Sequence, residues 1–93
     1  MQANKEKEHR TDEGRLIDSW IRPDPVQPGV EEARIMPYGV QVWAIIGHLQ
    51  ATGESPAQAA EDYNIPEEAV AAALAYFRRH RAAIETRLAA NAA

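Results

Sequence analysis

The sequence contains no cysteine, so it can form neither a disulfide scaffold nor a thiolate metal site, which is typical of a protein from a reducing cytoplasm. It also lacks the run of about eighteen apolar residues that a membrane-spanning helix needs, and its polar start does not resemble a secretion signal. With 93 residues, the chain has room for one small domain and a tail. We therefore expect a cytoplasmic protein that does not contact a membrane.

Positive charge is missing from the middle of the chain. Ten Lys and Arg stand against fourteen Asp and Glu, for a net charge of −4. Residues 35–77 contain no Lys or Arg, whereas residues 78–93 carry four Arg and a single acidic residue, Glu85. The C-terminal part is therefore the region best suited to bind an anionic partner.

The arrangements of residues that usually carry catalysis are also missing. His9, His48 and His80 have no His-x-x-x-His spacing, and there is no Gly-x-Ser-x-Gly motif or phosphate-binding glycine loop. The adjacent pairs 61–62 and 67–68 are acidic, but neighbouring side chains diverge by about 100° on a helix, which indicates a solvated face. We predict no enzyme activity, no cofactor, no metal and no small-molecule substrate.

The N-terminal third has few residues that could form a core. Residues 1–14 are charged and almost without apolar side chains, which predicts a disordered arm. Pro23, Pro25 and Pro28 interrupt residues 15–37. We predict that this segment is irregular, with one or two short strands at residues 20–21 and 33–36.

Residues 38–93 carry apolar side chains at helical spacing and form the predicted domain. Helix one is predicted over 38–52 with Gly53 as its stop, and helix two over 56–63 with Ser55 as its N-cap. After Asn64, a long helix three is predicted over 66–90. The fold class is mainly α, a three-helix domain with a helix-turn-helix layout. The predicted core consists of Trp43, Ile46, Leu49, Tyr63, Ile65, Val70, Leu74 and Phe77.

The apolar stripe of helix three continues beyond this core. Phe77, Ile84 and Leu88 lie on one face and have no obvious intramolecular partner in the sequence. A small, alanine-rich domain buries little surface on its own. We therefore predict a homodimer that forms through Phe77, Ile84 and Leu88.

An ordered set of short segments resembles one bacterial family, the domain of unknown function 433. The segments are 33–35, 39–46, 53–56, 59–63, 65–70 and 72–77, followed by His80. The resemblance extends over about residues 20 to 88. It implies a homeodomain-like three-helix domain preceded by short strands, which is commonly a dimer. It also implies relatives that resemble antitoxins and are often encoded beside a toxin similar to a PIN-domain ribonuclease.

The first functional hypothesis is an antitoxin-like interaction protein that binds and neutralises a PIN-like nuclease toxin. Arg78 and Arg81 are three residues apart and would share a face of helix three. Their guanidinium groups would bind the carboxylates of the nuclease site, with Trp20 as an apolar anchor.

The second hypothesis is a DNA-binding autorepressor that acts as a helix-turn-helix dimer. The early residues of helix three, Glu67 and Glu68, would be repelled by phosphates, so DNA contacts are expected from positive charge elsewhere. The candidates are Arg78, Arg79, Arg81, Lys5, Lys7 and Arg10. A stand-alone dimeric interaction domain is a further alternative.

Overall fold

The computed structural model describes residues 12–92. This part of the chain is mainly helical with short strands, as the sequence predicts, and its three strands, one more than predicted, form a small antiparallel sheet. No helix within it is both long enough and apolar enough to cross a membrane. The helices are α1 (12–20), α2 (Val42–Thr52), α3 (Pro56–Tyr63), α4 (Glu67–Arg79) and α5 (Arg81–Ala92). The strands are β1 (Ile21–Arg22), β2 (Arg34–Ile35) and β3 (Val40–Gln41), and Val30–Glu32 forms one 3-10 turn.

The sheet connects the N-terminal segment to the start of α2. Strand β2 is central and pairs antiparallel with β1 and β3, so that Ile35 lies opposite both Ile21 and Val40. Ile35 is fully buried and anchors the sheet to the helices. Because β3 runs directly into α2, the first helix of the predicted domain begins at Val42 rather than at residue 38.

Helix α3 begins and ends where the sequence predicts. The Ser55 Oγ accepts a hydrogen bond from the Gln58 N–H at 3.1 Å, and Pro56 occupies the first helical position. Asn64 ends the helix in the left-handed conformation, with φ of 56°. This turn leads within three residues into α4, which confirms the predicted helix-turn-helix layout.

Residues 12–20 form a helix, although the sequence predicted a disordered arm to residue 14 and an irregular segment after it. Leu16, Ile17 and Trp20 lie at helical spacing and pack against the core. The prolines that follow end the helix but do not prevent it from forming. The strand predicted at 20–21 lies one residue later, at Ile21–Arg22.

The predicted helix three is two helices. Helix α4 ends at Arg79 and α5 begins at Arg81, and His80 between them has φ of −129° and ψ of 37°. No proline or glycine marks this break, so helical spacing alone indicated one continuous helix. The bend allows α5 to fold back onto α2 and the 3-10 turn, so the reason for the break is tertiary packing.

This bend places the predicted dimer residues in the core of their own chain. Ile84 is fully buried, Phe77 is 7% exposed, and Leu88 is half-buried against the core. A Cβ atom added to Gly47 of α2 would lie 2.9 Å from the Leu88 Cδ2, which shows how closely α2 and α5 approach. The expectation that these three residues lack an intramolecular partner is wrong, and the argument for a dimer through them is lost with it.

The core is larger than the sequence predicted, because the sheet and α5 contribute to it. The predicted core residues that are buried are Ile46, Ile65, Val70 and Phe77. Those that are partly buried and pack against the core are Trp43, Leu49, Tyr63 and Leu74. The large, fully buried residues that the prediction left out are Ile35, Val42, Ile45 and Ile84.

Asp24 organises the loop between β1 and β2. Its Oδ1 accepts hydrogen bonds from the N–H groups of Val26 and Gln27, each at 2.8 Å, and its Oδ2 accepts one from the Arg34 Nε at 2.6 Å. The hydrogen bonds from Gln27, Arg34 and Val26 stabilise the ionised carboxylate and lower the pKa of Asp24 from 3.8 to about 2.

This pKa predicts how stability depends on pH. The contribution of Asp24 is complete above 3.8, where the unfolded chain ionises, and it is lost as the pH falls to about 2. Asp24→Asn should remove this dependence but keep the acceptor for the two backbone amides, whereas Asp24→Ala should lower the melting temperature further. Thermal unfolding across this pH range checks both variants. A folded-state Asp24 carboxyl that titrates at 3.8 by NMR would contradict the assignment.

Truncating Ile84 tests whether α5 belongs to the core of the single chain. Ile84→Ala should lower the free energy of unfolding by about 2–5 kcal/mol, because it removes buried methyl groups and leaves a cavity. Urea denaturation should give the same loss at two protein concentrations about twentyfold apart. The control Thr86→Ala, at an exposed position of α5, should not lower stability and should raise it by at most about 0.7 kcal/mol, because alanine favours the helix more than threonine does. If the loss of unfolding free energy instead grew on dilution, Ile84 would lie in a dimer interface.

Candidate functional site

Helices α3 and α4 form the unit on which both predicted functions depend. Ala59 and Ala60 of α3 are buried, as is Ile65 in the turn, and their small or branched side chains allow the two helices to pack closely. Helix α4 buries most of its circumference and leaves one narrow stripe facing outward. The stripe consists of Glu67, Ala71, Leu74 and Arg78, of which the two end residues are exposed and the two between them are partly buried.

The outward stripe has opposite charges at its two ends. Glu67 and Glu68 lie in the first turn of α4, and Arg78 and Arg79 lie in the last. This order complements the helix dipole at both ends. The acidic end occupies the position from which a helix-turn-helix protein reads the major groove, as the sequence predicted. The cationic end lies where α4 meets α5.

The α4–α5 junction brings together the three predicted arginines, Arg78, Arg79 and Arg81, all of them exposed. The Arg78 Nη2 donates to the Glu13 Oε2 at 3.1 Å, and the Arg79 Nε lies 3.5 Å from the other oxygen of the same carboxylate. The hydrogen bond from Arg78 is the main reason that the pKa of Glu13 is lowered. A single carboxylate is thus shared by two guanidinium groups.

Arg81 makes contacts of its own at the junction. Its Nη1 lies 3.5 Å from the Glu85 Oε2, and its guanidinium lies over the Phe77 ring, 4.6 Å from the ring centroid. Because the helix is interrupted at His80, spacing no longer places Arg78 and Arg81 on one helical face. That reason for pairing them is wrong, although both are exposed at the same junction.

Trp20, the predicted apolar anchor, makes contacts within its own chain. Its indole Nε1 donates to the Glu68 Oε2 at 3.0 Å, and its ring stacks on Tyr38 with the centroids 6.4 Å apart. Glu13, near the start of α1, contacts the end of α4, whereas Trp20, at the end of α1, contacts its start. Helix α1 therefore runs antiparallel to α4 along one flank of the outward stripe.

Of the predicted site residues, the structure gathers the arginines and separates the others. Trp20 lies at the opposite end of α4 from Arg78, and the predicted dimer residues are packed inside the chain. The arm residues predicted to contact DNA fall outside residues 12–92: these are Lys5, Lys7 and Arg10.

The structure shows a second polar cluster, formed by His48, Glu54 and Asp62. The His48 Nε2 lies 2.9 Å from the Glu54 Oε2 and 3.4 Å from the Asp62 Oδ2. The hydrogen bond to Glu54 is the main reason that the pKa of His48 is raised. Sequence reasoning missed this cluster because its spacing matches no ligand motif, and it assigned Asp62 to a solvated face. Only the turn at Gly53 brings the three side chains together.

Comparison with known proteins identifies a family. The family model described as "Protein of unknown function (DUF433)" matches residues 31–77. No curated protein and no solved structure matches the chain. The matched residues cover about half of the chain and include β2, β3, α2, α3 and nearly all of α4, so they contain the helix-turn-helix unit but not α1 or α5. On this match, and in agreement with its sequence motifs, the chain belongs to the DUF433 family.

Proposed function

We propose that this protein is an antitoxin-like interaction protein that binds and neutralises a small nuclease-like toxin through the arginines of the α4–α5 junction. The observation that supports this proposal most is the sharing of the Glu13 carboxylate by Arg78 and Arg79. One negative charge faces two positive charges there, so the junction keeps an excess of positive charge for a partner.

A carboxylate of a partner protein can take the place of Glu13 or Glu85 in the ion pairs at this junction. The side chains of Arg78 and Arg81 are 57% and 59% exposed. Exposed ion pairs contribute only about 0–1 kcal/mol, so exchanging Glu13 or Glu85 for a carboxylate of another protein costs little. The planar guanidinium group also binds a carboxylate with two parallel hydrogen bonds, which adds geometric selectivity.

A nuclease of the PIN type is the partner class that fits this chemistry. The family resemblance implies such a partner, and its site would gather metal-binding carboxylates. Guanidinium groups placed against those carboxylates would compete with the metal ions that the nuclease needs. The acidic first turn of α4 is roughly 16 Å from Arg78 along the helix axis, so its repulsion at the junction is weak.

The double variant Arg78→Ala/Arg81→Ala tests the proposed contact. We expect its affinity for the toxin encoded by the neighbouring gene to fall by about 100-fold, because two charged hydrogen-bonding groups are lost. Isothermal titration measures the affinity, and growth rescue on co-expression measures neutralisation. The control is Arg15→Ala, whose side chain is 74% exposed and lies about 200° around α1 from Glu13. The control should bind as the unaltered protein does.

Two results would contradict the proposal. One is an unchanged affinity in the double variant, provided that circular dichroism shows both proteins folded. The other is failure of the neighbouring gene product to bind the unaltered protein at all.

DNA-binding autorepression is the second candidate, and the outward stripe of α4 in a helix-turn-helix unit favours it. Glu67 and Glu68 oppose phosphate contacts at the start of this helix. Binding to DNA would therefore depend on Arg78 and its neighbours at the other end.

The salt dependence of DNA binding tests this second candidate. Arg78→Ala should flatten the slope of log affinity against log salt by about one, and Glu67→Lys should strengthen non-specific binding. Fluorescence anisotropy with the DNA upstream of the gene measures both effects. If Glu67→Ala changed the preference at a single base pair while Arg78→Ala had no effect, the DNA interface would lie at the acidic end instead.

A further inference from the structure

We propose that His48, Glu54 and Asp62 form a binding site for a divalent transition metal ion, and that Zn²⁺ is the ion that fits it best. The three side chains come from α2, from the loop after it and from the last turns of α3. They offer one imidazole nitrogen and two carboxylate oxygens within 4.8 Å of one another. This site is separate from the proposed partner contact and does not depend on it.

The two separations from the His48 nitrogen to the carboxylate oxygens are close to those between the ligands of a bound zinc ion. Zinc bonds to histidine nitrogen and carboxylate oxygen are about 2.0–2.2 Å long, so adjacent ligands of a tetrahedral ion lie about 3.3 Å apart. The His48 Nε2 is 2.9 Å from the Glu54 oxygen and 3.4 Å from the Asp62 oxygen. Both separations from the imidazole nitrogen therefore lie within a few tenths of an ångström of the tetrahedral value, and the two carboxylate oxygens lie within 4.8 Å of each other.

The charge of the cluster also favours a divalent cation. Two carboxylates converge on one imidazole, and a protonated His48 compensates only one of their charges. A divalent ion compensates both and uses the neutral imidazole as a ligand. The imidazole selects against Mg²⁺ and Ca²⁺, which prefer oxygen ligands alone.

The surroundings hold the three ligands in place. The Gln58 Nε2 donates to the Asp62 Oδ1 at 3.0 Å, which leaves Oδ2 for the ion. The Thr52 hydroxyl donates to the His48 carbonyl at 2.8 Å and accepts from the Glu54 N–H at 3.1 Å. This hydroxyl therefore fixes the start of the loop that carries Glu54.

The ring of His48 is also oriented, and the site is open on one side. Tyr63 packs edge-on against this ring, with the centroids 5.2 Å apart. The side chains of His48, Glu54 and Asp62 are 25%, 27% and 36% exposed. Solvent therefore reaches the cluster, and a water molecule can supply the fourth ligand that three protein groups leave open.

Metal binding would connect α2 to α3 and so stabilise the helix-turn-helix unit, because an ion that binds only the folded chain shifts the unfolding equilibrium.

The test uses the full chain, stripped of metal with a chelator and then titrated with Zn²⁺ alone in competition with a chromophoric chelator. We expect one Zn²⁺ per chain and a higher melting temperature, and no such shift with Mg²⁺. His48→Gln and Asp62→Asn should each lower the affinity by about 100-fold, and Gln58→Ala by about tenfold. His9→Gln and His80→Gln are the matched controls and should bind as the unaltered protein does.

Three results would overturn the proposal. They are the absence of saturable one-to-one binding, equal affinity in His48→Gln, and a loss of binding that is confined to His9→Gln. Should His48→Gln fail to fold, the imidazole nitrogen signals of the unaltered protein decide the question. Coordination by the His48 Nε2 shifts that signal on addition of Zn²⁺, and an unshifted signal at saturation contradicts the site.

Discussion

The burial of Ile84 is the interaction on which the rest of this structure depends. The helices contain many alanines, which pack closely but fill little volume, so a large side chain from α5 completes the core. To deliver it, the chain bends at His80 and α5 returns to α2. Arg78 and Arg81 lie on either side of this bend and are exposed. Completion of the core and formation of the cationic junction are thus consequences of one backbone feature.

A second contact holds α5 in this position. The Arg87 guanidinium donates from its Nε to the Glu32 Oε2 at 2.9 Å and lies over the Trp43 ring, 4.3 Å from its centroid. Glu32 is only 8% exposed, so this ion pair is well shielded from solvent. It connects Arg87 of α5, which lies outside the residues that the family model matches, to Glu32 and Trp43, which lie within them.

The features that the sequence predicted well are those that depend on interactions between neighbouring residues. The bounds of α3 follow from Ser55, Pro56 and Asn64, each of which acts on its own few neighbours. The break at His80 could not be predicted, because its cause is the distant surface of α2. An apolar stripe on a helix shows that another element packs against it, but not whether that element belongs to the same chain or to a second one. For this reason, the sequence predicted Ile84 to lie in a dimer interface. The cluster around His48 was missed because a turn, not a motif, assembles it.

The central claim is that α5 packs on α2 of its own chain, and one NMR measurement tests it most directly. In a mixture of ¹³C-labelled and unlabelled protein, nuclear Overhauser effects within a chain are separated from those between chains. The contact at Gly47 predicts an intrachain effect between its α protons and a Leu88 methyl group. An effect seen only between labelled and unlabelled chains, or none at all, would contradict the account.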